Sequence, residues 1–152
     1  PMNEIEVLMV LPKAAVSSAA KGKEHWNIEH KASTVTIYEN EQPIGKARWE
    51  NSMEFGMERP ALYAKLYGLE DDLLIFEAMI SRLALEYRQI RSRHPLYIRL
   101  KDSEISLIAK ASRMGFLPYM GQWQNADSEL SFKHWEAITE QLRQAYPKGL
   151  DA

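Results

Sequence analysis

The chain has no cysteine among its 152 residues. That absence excludes a disulfide scaffold, a thiolate zinc site, an iron–sulfur cluster and a cysteine nucleophile. It also fits a cytoplasmic protein. No stretch approaches the ~18 consecutive apolar residues of a membrane helix. The one early apolar run, Val7 to Leu11, follows Glu4 and Glu6 instead of a basic segment, so it reads as a strand and not as a signal peptide. An excess of one charge is missing too: 19 Lys and Arg face 21 Asp and Glu, for a formal net charge of −2. This balance gives no whole-surface attraction to nucleic acid or to an anionic membrane, so neither is expected as a partner. There is no internal repeat and no low-complexity tract. What remains is ordinary globular material, 45% hydrophobic and 26% charged. At roughly 100–200 residues per domain, residues 2–152 form a single domain able to bury its own core.

Residues Ile5 to Leu11 form a short β-type run ended by Pro12, and 13–24 read as a short helix or a loop, with Gly22 against a long helix. Ser33 to Tyr38, the turn Asn40-Glu41-Gln42-Pro43 and Ile44 to Trp49 make an antiparallel hairpin over 33–50. Met53, Phe55 and Met57 alternate, as do Leu62, Ala64 and Leu66, so one or both stretches continue the sheet. The strongest periodicity follows: Leu69, Leu73, Phe76, Ile80, Leu83, Tyr87 and Ile90 lie 4-3-4-3-4-3 apart, one stripe of a long amphipathic helix. Glu70, Asp71 and Asp72 begin that helix, Arg88, Arg91 and Arg93 end it, and Pro95 stops it. Both ends complement the helix dipole.

Leu96 to Leu100 is a further strand. Asp102 or Ser103 then caps a helix from Glu104 to about Met114, closed by Gly115 in a left-handed conformation. Phe116 to Trp123 reads as a strand, Asn125-Ala126-Asp127 as a turn and Glu129 to Lys133 as a return strand. Trp135, Ile138, Leu142 and Tyr146 mark a last amphipathic helix. The fold expected from this order is α/β in the mixed α+β sense. Its sheet is mostly antiparallel with helices on both faces, and one parallel strand–helix–strand crossover spans about 61–100.

Few residues outside this framework point to chemistry. His25 and His30 are five apart, whereas metal-binding helical histidines stand i, i+4 on one face, so no metal is expected. There is no G-x-S-x-G nucleophile elbow. Arg88, Arg91, Arg93 and His94 read first as a solvated helix end and second as an anion contact. Trp26, Trp49, Trp123 and Trp135, with Tyr38, Tyr63, Tyr67 and Tyr119, read first as core packing and second as the lining of a groove.

The block Leu96 to Phe116, LYIRLKDSEISLIAKASRMGF, runs strand, connection, helix and Gly-Phe without a gap. It resembles the corresponding block of the GNAT superfamily of acyl-coenzyme A-dependent N-acyltransferases. With the element order, the resemblance covers roughly 33–134, and the opening (2–32) is shorter than the family's. It implies transfer of an acyl group, in the simplest case acetyl, from acetyl-CoA or another acyl-CoA to an amine of a small molecule or protein. No metal is implied, and exposed strand edges permit a homodimer. The family's coenzyme loop, [Q/R]-x-x-G-x-[G/A], is matched by Lys65-Leu66-Tyr67-Gly68-Leu69-Glu70, with Leu73-Leu74 in register. These six are the implied cofactor-binding residues. Glu70 replaces the small residue, and Asp71 and Asp72 follow where the family binds pyrophosphate on backbone N–H groups. Like charges ~4 Å apart repel by about 1 kcal/mol in water and more at lower dielectric.

Two further family positions differ. The asparagine position holds Glu104, and the tyrosine position, a general acid toward the departing thiolate, holds Ala111. The catalytic candidates are therefore Tyr119, with Tyr67 as its alternative, for the proton donor. Glu50, with Glu54 beside it, lies where the family keeps a general base. The other function in view is a GNAT-fold protein without transferase activity that binds a ligand or a protein partner.

Overall fold

The computed structural model describes residues 6–12, 18–54, 57–66, 72–90, 95–120 and 128–150; for 51–54, 57–66, 72 and 128–131 the backbone course alone is described. Strands β1 (Glu6–Leu11), β2 (Asn27–Lys31), β3 (Thr34–Glu39), β4 (Gln42–Glu54), β5 (Met57–Leu66), β6 (Leu96–Lys101) and β7 (Leu117–Pro118) form a seven-stranded sheet in the order β2-β3-β4-β5-β6-β1-β7. Helices α1 (Asp72–Ile90), α2 (Ile105–Arg113) and α3 (Ser128–Ala145) complete the described elements. Among the described residues, β5 and β6 alone pair in parallel and the other pairings are antiparallel.

The expected hairpin is β3–β4. Asn40 and Glu41 form its two-residue turn with φ of 52° and 66°. Two successive left-handed residues match the twist of paired strands. Both alternating stretches hold strand: Met53 lies in β4, Met57 begins β5, which also carries Leu62, Ala64 and Leu66, and Phe55 lies outside the described residues. Strand β2 has no counterpart in the sequence reading. Ile28 is its one apolar residue among Asn27, Glu29, His30 and Lys31. An edge strand needs little hydrophobic surface, and charge on it discourages pairing with another chain. Residues 18–26 hold no helix; instead Ala20 N–H donates to Ser81 Oγ of α1 at 2.9 Å.

The predicted stripe is the buried face of α1. Phe76, Ile80, Leu83 and Tyr87 are buried, and the stripe stops short of Ile90, which is exposed. Ile75, Ala78, Met79 and Ala84 are buried as well, because α1 meets β3, β4 and β5 on one side and α2 on another. The helix lies so close to β4 that a Cβ on Gly45 would sit 2.4 Å from Ile75 Cγ2.

Helix α2 ends as its sequence implied. Gly115 has φ 105°, Phe116 N–H reaches Ala111 O at 3.0 Å and Gly115 N–H reaches Ser112 O at 3.1 Å. These are the two bonds of a Schellman motif. The start of α2 differs: neither Asp102 nor Ser103 is the cap. Glu104 holds that position without a side-chain capping bond, because its carboxylate turns back to accept Lys101 N–H at 2.8 Å.

Two strand expectations at the C-terminal end need correction. Among the described residues β7 is Leu117–Pro118, and Tyr119 N–H still reaches Leu8 O of β1 at 3.0 Å, since Pro118 stands opposite Met9 at a pair that needs no N–H. Trp123 and the turn Asn125–Asp127 lie outside the described residues. Residues 129–133 are not a return strand but the first turns of α3, on which Trp135 and Ile138 are buried as their spacing predicted. These turns run on into Trp135 and Ile138, whose helical spacing buries one face of α3 in the core.

Helices were expected on both faces; α1 packs on the Gly45 and Ala47 face of β4 with α2 beside it, joined by Lys110 Nζ and Glu77 Oε2 at 2.8 Å. Pleat alternation accounts for this. Val7, Met9, Leu11, Val35, Ile37, Ala47, Leu96 and Ile98 are buried in a single core shared with the helices. Their strand neighbours Lys46, Arg48 and Glu50 are exposed, and a helix cannot cover such a face without burying charge.

Candidate functional site

The parallel β5–β6 ladder contains two pairs, Ala61↔Tyr97 and Leu62↔Ile98. Both strands then continue, β5 to Leu66 and β6 to Lys101. The direction of the backbone groups follows from β1. Leu8 O accepts Tyr119 N–H at 3.0 Å, so Leu8 turns its polar groups toward β7. Its opposite partner Arg99 therefore turns its own groups toward β5, and alternation does the same for Tyr97 and Lys101. A longer ladder would engage Lys101 N–H, but Glu104 Oε1 takes that donor. Glu104 thus takes a donor that a longer ladder would use, and beyond Leu62↔Ile98 no further pair joins the described residues of the two strands, an opening in the ladder.

Register places the charged residues around this opening. On the face away from α1, Glu50 is opposite Ala61, which is level with Tyr97. One step along, Arg48 is opposite Tyr63, and continuing the parallel register brings Arg99 to the same level. One step further, Lys46 is opposite Lys65. Arg48 Nε lies 3.2 Å from Glu50 Oε2, and Arg99 Nη1 lies 3.7 Å from Glu6 Oε2.

The candidate catalytic residues share this face but do not touch. The Tyr119 ring packs edge-on against Tyr97, with centroids 5.5 Å apart, and Tyr119 O accepts Trp135 Nε1–H at 3.2 Å. Tyr97 and Glu50 are separated by β5, two strand spacings or about 10 Å. Of the implied coenzyme residues, Lys65 and Leu66 end β5 at the opening, and Tyr67, Gly68, Leu69 and Glu70 lie outside the described residues. Ala111 is wholly buried in the core, so its position presents no hydroxyl and faces no solvent.

The histidines are held apart by separate partners. His25 Nε2 meets Glu39 Oε2 at 2.5 Å, and Trp26 Nε1 donates to the same oxygen at 3.0 Å. These two bonds, the one from His25 foremost, hold the Glu39 carboxyl below the usual carboxylate range. His30 Nε2 meets Glu86 Oε2 of α1 at 2.5 Å. Among the described residues no three His, Asp or Glu side chains gather as a metal site. An open cavity of about 480 Å³ lined by His25, Asn27, Glu29, Tyr38, Asn40 and Glu41 lies at the β2–β3 edge. No periodicity identifies Glu39 and Glu86 as these partners. Arg88 is not a solvated helix end: it donates from Nη2 to Leu11 O at 2.8 Å and Pro12 O at 2.5 Å, and burial lowers its pKa. Arg91, Arg93 and His94 lie outside the described residues.

Comparison with protein-family models, with curated proteins and with solved structures finds no match to this chain. Among the described residues, no helix is long and apolar enough to cross a membrane.

Proposed function

We propose that this protein is a GNAT-type N-acyltransferase that moves an acyl group from coenzyme A to an amine. The observation carrying the proposal is the parallel ladder that ends at Leu62↔Ile98 while both strands run on. In the family this chain resembles, a thioester enters between two such strands. Acyl-coenzyme A supplies the activated carbonyl. Backbone N–H groups on the rims of β5 and β6 polarise it, and the rigid sheet keeps them oriented before reaction. Glu50 takes the proton of the attacking amine as the C–N bond forms, once it releases Arg48. Tyr119, held by its backbone bonds to Leu8 and Trp135 and packed edge-on against Tyr97, protonates the leaving thiolate.

A second reading, binding without turnover, is favoured by Ala111, buried and without a hydroxyl, and by Arg48, whose Nε holds Glu50 Oε2 at 3.2 Å. Calorimetric titration with acetyl-coenzyme A tests the binding common to both. At about 100 times Kd, ligand adds about 2.7 kcal/mol of stability, which a thermal shift detects. No heat and no shift at millimolar ligand refutes both readings. If binding occurs, thiol release with a panel of amines separates them. Glu50→Gln slows turnover with affinity unchanged under the first reading, and wild-type protein that binds without turnover leaves the second.

A further inference from the structure

The cavity of about 480 Å³ at the β2–β3 edge has no aliphatic lining: His25, Asn27, Glu29, Tyr38, Asn40 and Glu41 all carry polar groups. Pockets for apolar ligands are lined mainly by hydrophobic side chains, so this one suits a different chemistry. We propose that the β2–β3 cavity is a binding site for a neutral saccharide. In the sheet, β4 and β5 stand between β3 and β6, so the cavity is separate from the β5–β6 opening and the proposal is independent of the transferase reading.

Three observations carry it. The fold gathers polar groups here and leaves them available. Asn27 and Tyr38 are direct cross-strand partners, and alternation puts Glu29 on their face, since Ile28 packs against the core. Asn40 and Glu41 come from the β3–β4 turn. Among the described residues, the side chains of Asn27, Tyr38, Asn40 and Glu41 make no hydrogen bond or ion pair. Next, Glu41 carries a side chain at φ 66°, a turn position that glycine fills without cost. The left-handed conformation costs stability, and no contact of the Glu41 carboxylate repays it. Finally, His25 is oriented: its Nε2 meets Glu39 Oε2 at 2.5 Å, and the buried Trp26 holds the same oxygen through Nε1 at 3.0 Å. A carboxylate only accepts, so Nε2 carries the proton and Nδ1 of the neutral ring accepts.

This donor and acceptor set selects the ligand. Asn27, Asn40 and the Tyr38 hydroxyl both donate and accept, whereas Glu41 and His25 Nδ1 accept. Adjacent hydroxyls on a sugar ring, each a donor and an acceptor, match all of them, and the Tyr38 ring offers an apolar face to the sugar's C–H groups. The carboxylates of Glu29 and Glu41 repel an anion. Lys31 Nζ lies 3.7 Å from Glu29 Oε1, which leaves little uncompensated charge to hold a cation.

The test titrates the isotope-labelled full chain with glucose, galactose, N-acetylglucosamine, maltose and cellobiose at tens of millimolar, with putrescine as the cationic probe and gluconate as the anionic one. At least one neutral saccharide is expected to move the backbone resonances of 25–29 and 38–41 and to leave those of β6 in place. Asn27→Ala and Glu41→Gly are each expected to weaken that saccharide about tenfold. Glu41→Gly is also expected to raise the urea midpoint, because glycine adopts φ 66° freely. Opposite movements of binding and stability are a readout that a structural role of Glu41 does not give. Lys148→Ala, exposed near the C-terminal end, is expected to match wild type in both measurements. Neutral saccharides that leave 25–29 and 38–41 unmoved overturn the inference. So does saccharide binding that both variants retain, or binding of putrescine or gluconate alone.

Discussion

Gly45→Ala probes the contact that seats α1 on the sheet. The added methyl would lie 2.4 Å from Ile75 Cγ2 and 2.9 Å from Met79 Sδ. Carbon atoms pack at about 3.5–4.0 Å, so either Ile75 leaves its rotamer or α1 moves by about 1 Å. Overpacking of this kind costs about 1–3 kcal/mol. Gly45 is not among the left-handed glycines, so alanine meets no backbone strain and recovers about 0.4–1 kcal/mol through the unfolded chain. The net expectation is a loss of about 1–2 kcal/mol, seen as a lower urea midpoint and a Tm lower by about 3–6 °C. A double-mutant cycle with Ile75→Ala isolates the clash. That change removes Cγ2 and alone costs about 2–5 kcal/mol. Together the two are expected to cost at least ~1 kcal/mol less than their sum. A Gly45→Ala protein within ~0.5 kcal/mol of wild type, or an additive cycle, refutes the close approach of α1 to β4.

Two further outcomes complement the ligand titrations given above. The lowered pKa of Glu39 in the folded state means that its bonds to His25 and Trp26 stabilise the fold above the ordinary carboxylate pKa and are lost as pH falls through the lowered value. The urea midpoint of Glu39→Gln should therefore lie below wild type at neutral pH and converge with it in acid; a gap independent of pH contradicts this. At Gly115, φ 105° excludes a β-carbon without strain. Gly115→Ala is expected to cost about 1 kcal/mol in chemical denaturation, and an unchanged midpoint would remove the Schellman closure of α2.

Much of the fold is legible in local pattern. The β3–β4 hairpin, the buried stripe of α1, strand β6 and the glycine closure of α2 each depend on residues near in sequence, where periodicity and turn chemistry act directly. The departures come from neighbours distant in sequence. Residues 129–133 alternate enough to suggest a strand, but they run on into Trp135 and Ile138, whose helical spacing buries one face in the core, so they join α3. Strand β2 carries too little apolar surface to be noticed and forms because β3 offers an edge. Glu104 was legible as a departure from a family pattern, though not as the acceptor that takes Lys101 N–H.

The candidate site divides in the same way. Glu50, Lys65 and Tyr119 could be singled out one at a time, since a residue's chemistry is written at its own position. Their arrangement could not. That Lys46 stands opposite Lys65, and that Ala61 pairs with Tyr97 and Leu62 with Ile98, follow from a register set across the whole α1 crossover. Sequence alone determined a cysteine-free domain of balanced charge with strands and helices in a recognisable order. Tertiary structure decided which strand flanks β6 and which face stays open, because strand pairing is a choice among distant edges that no local pattern encodes.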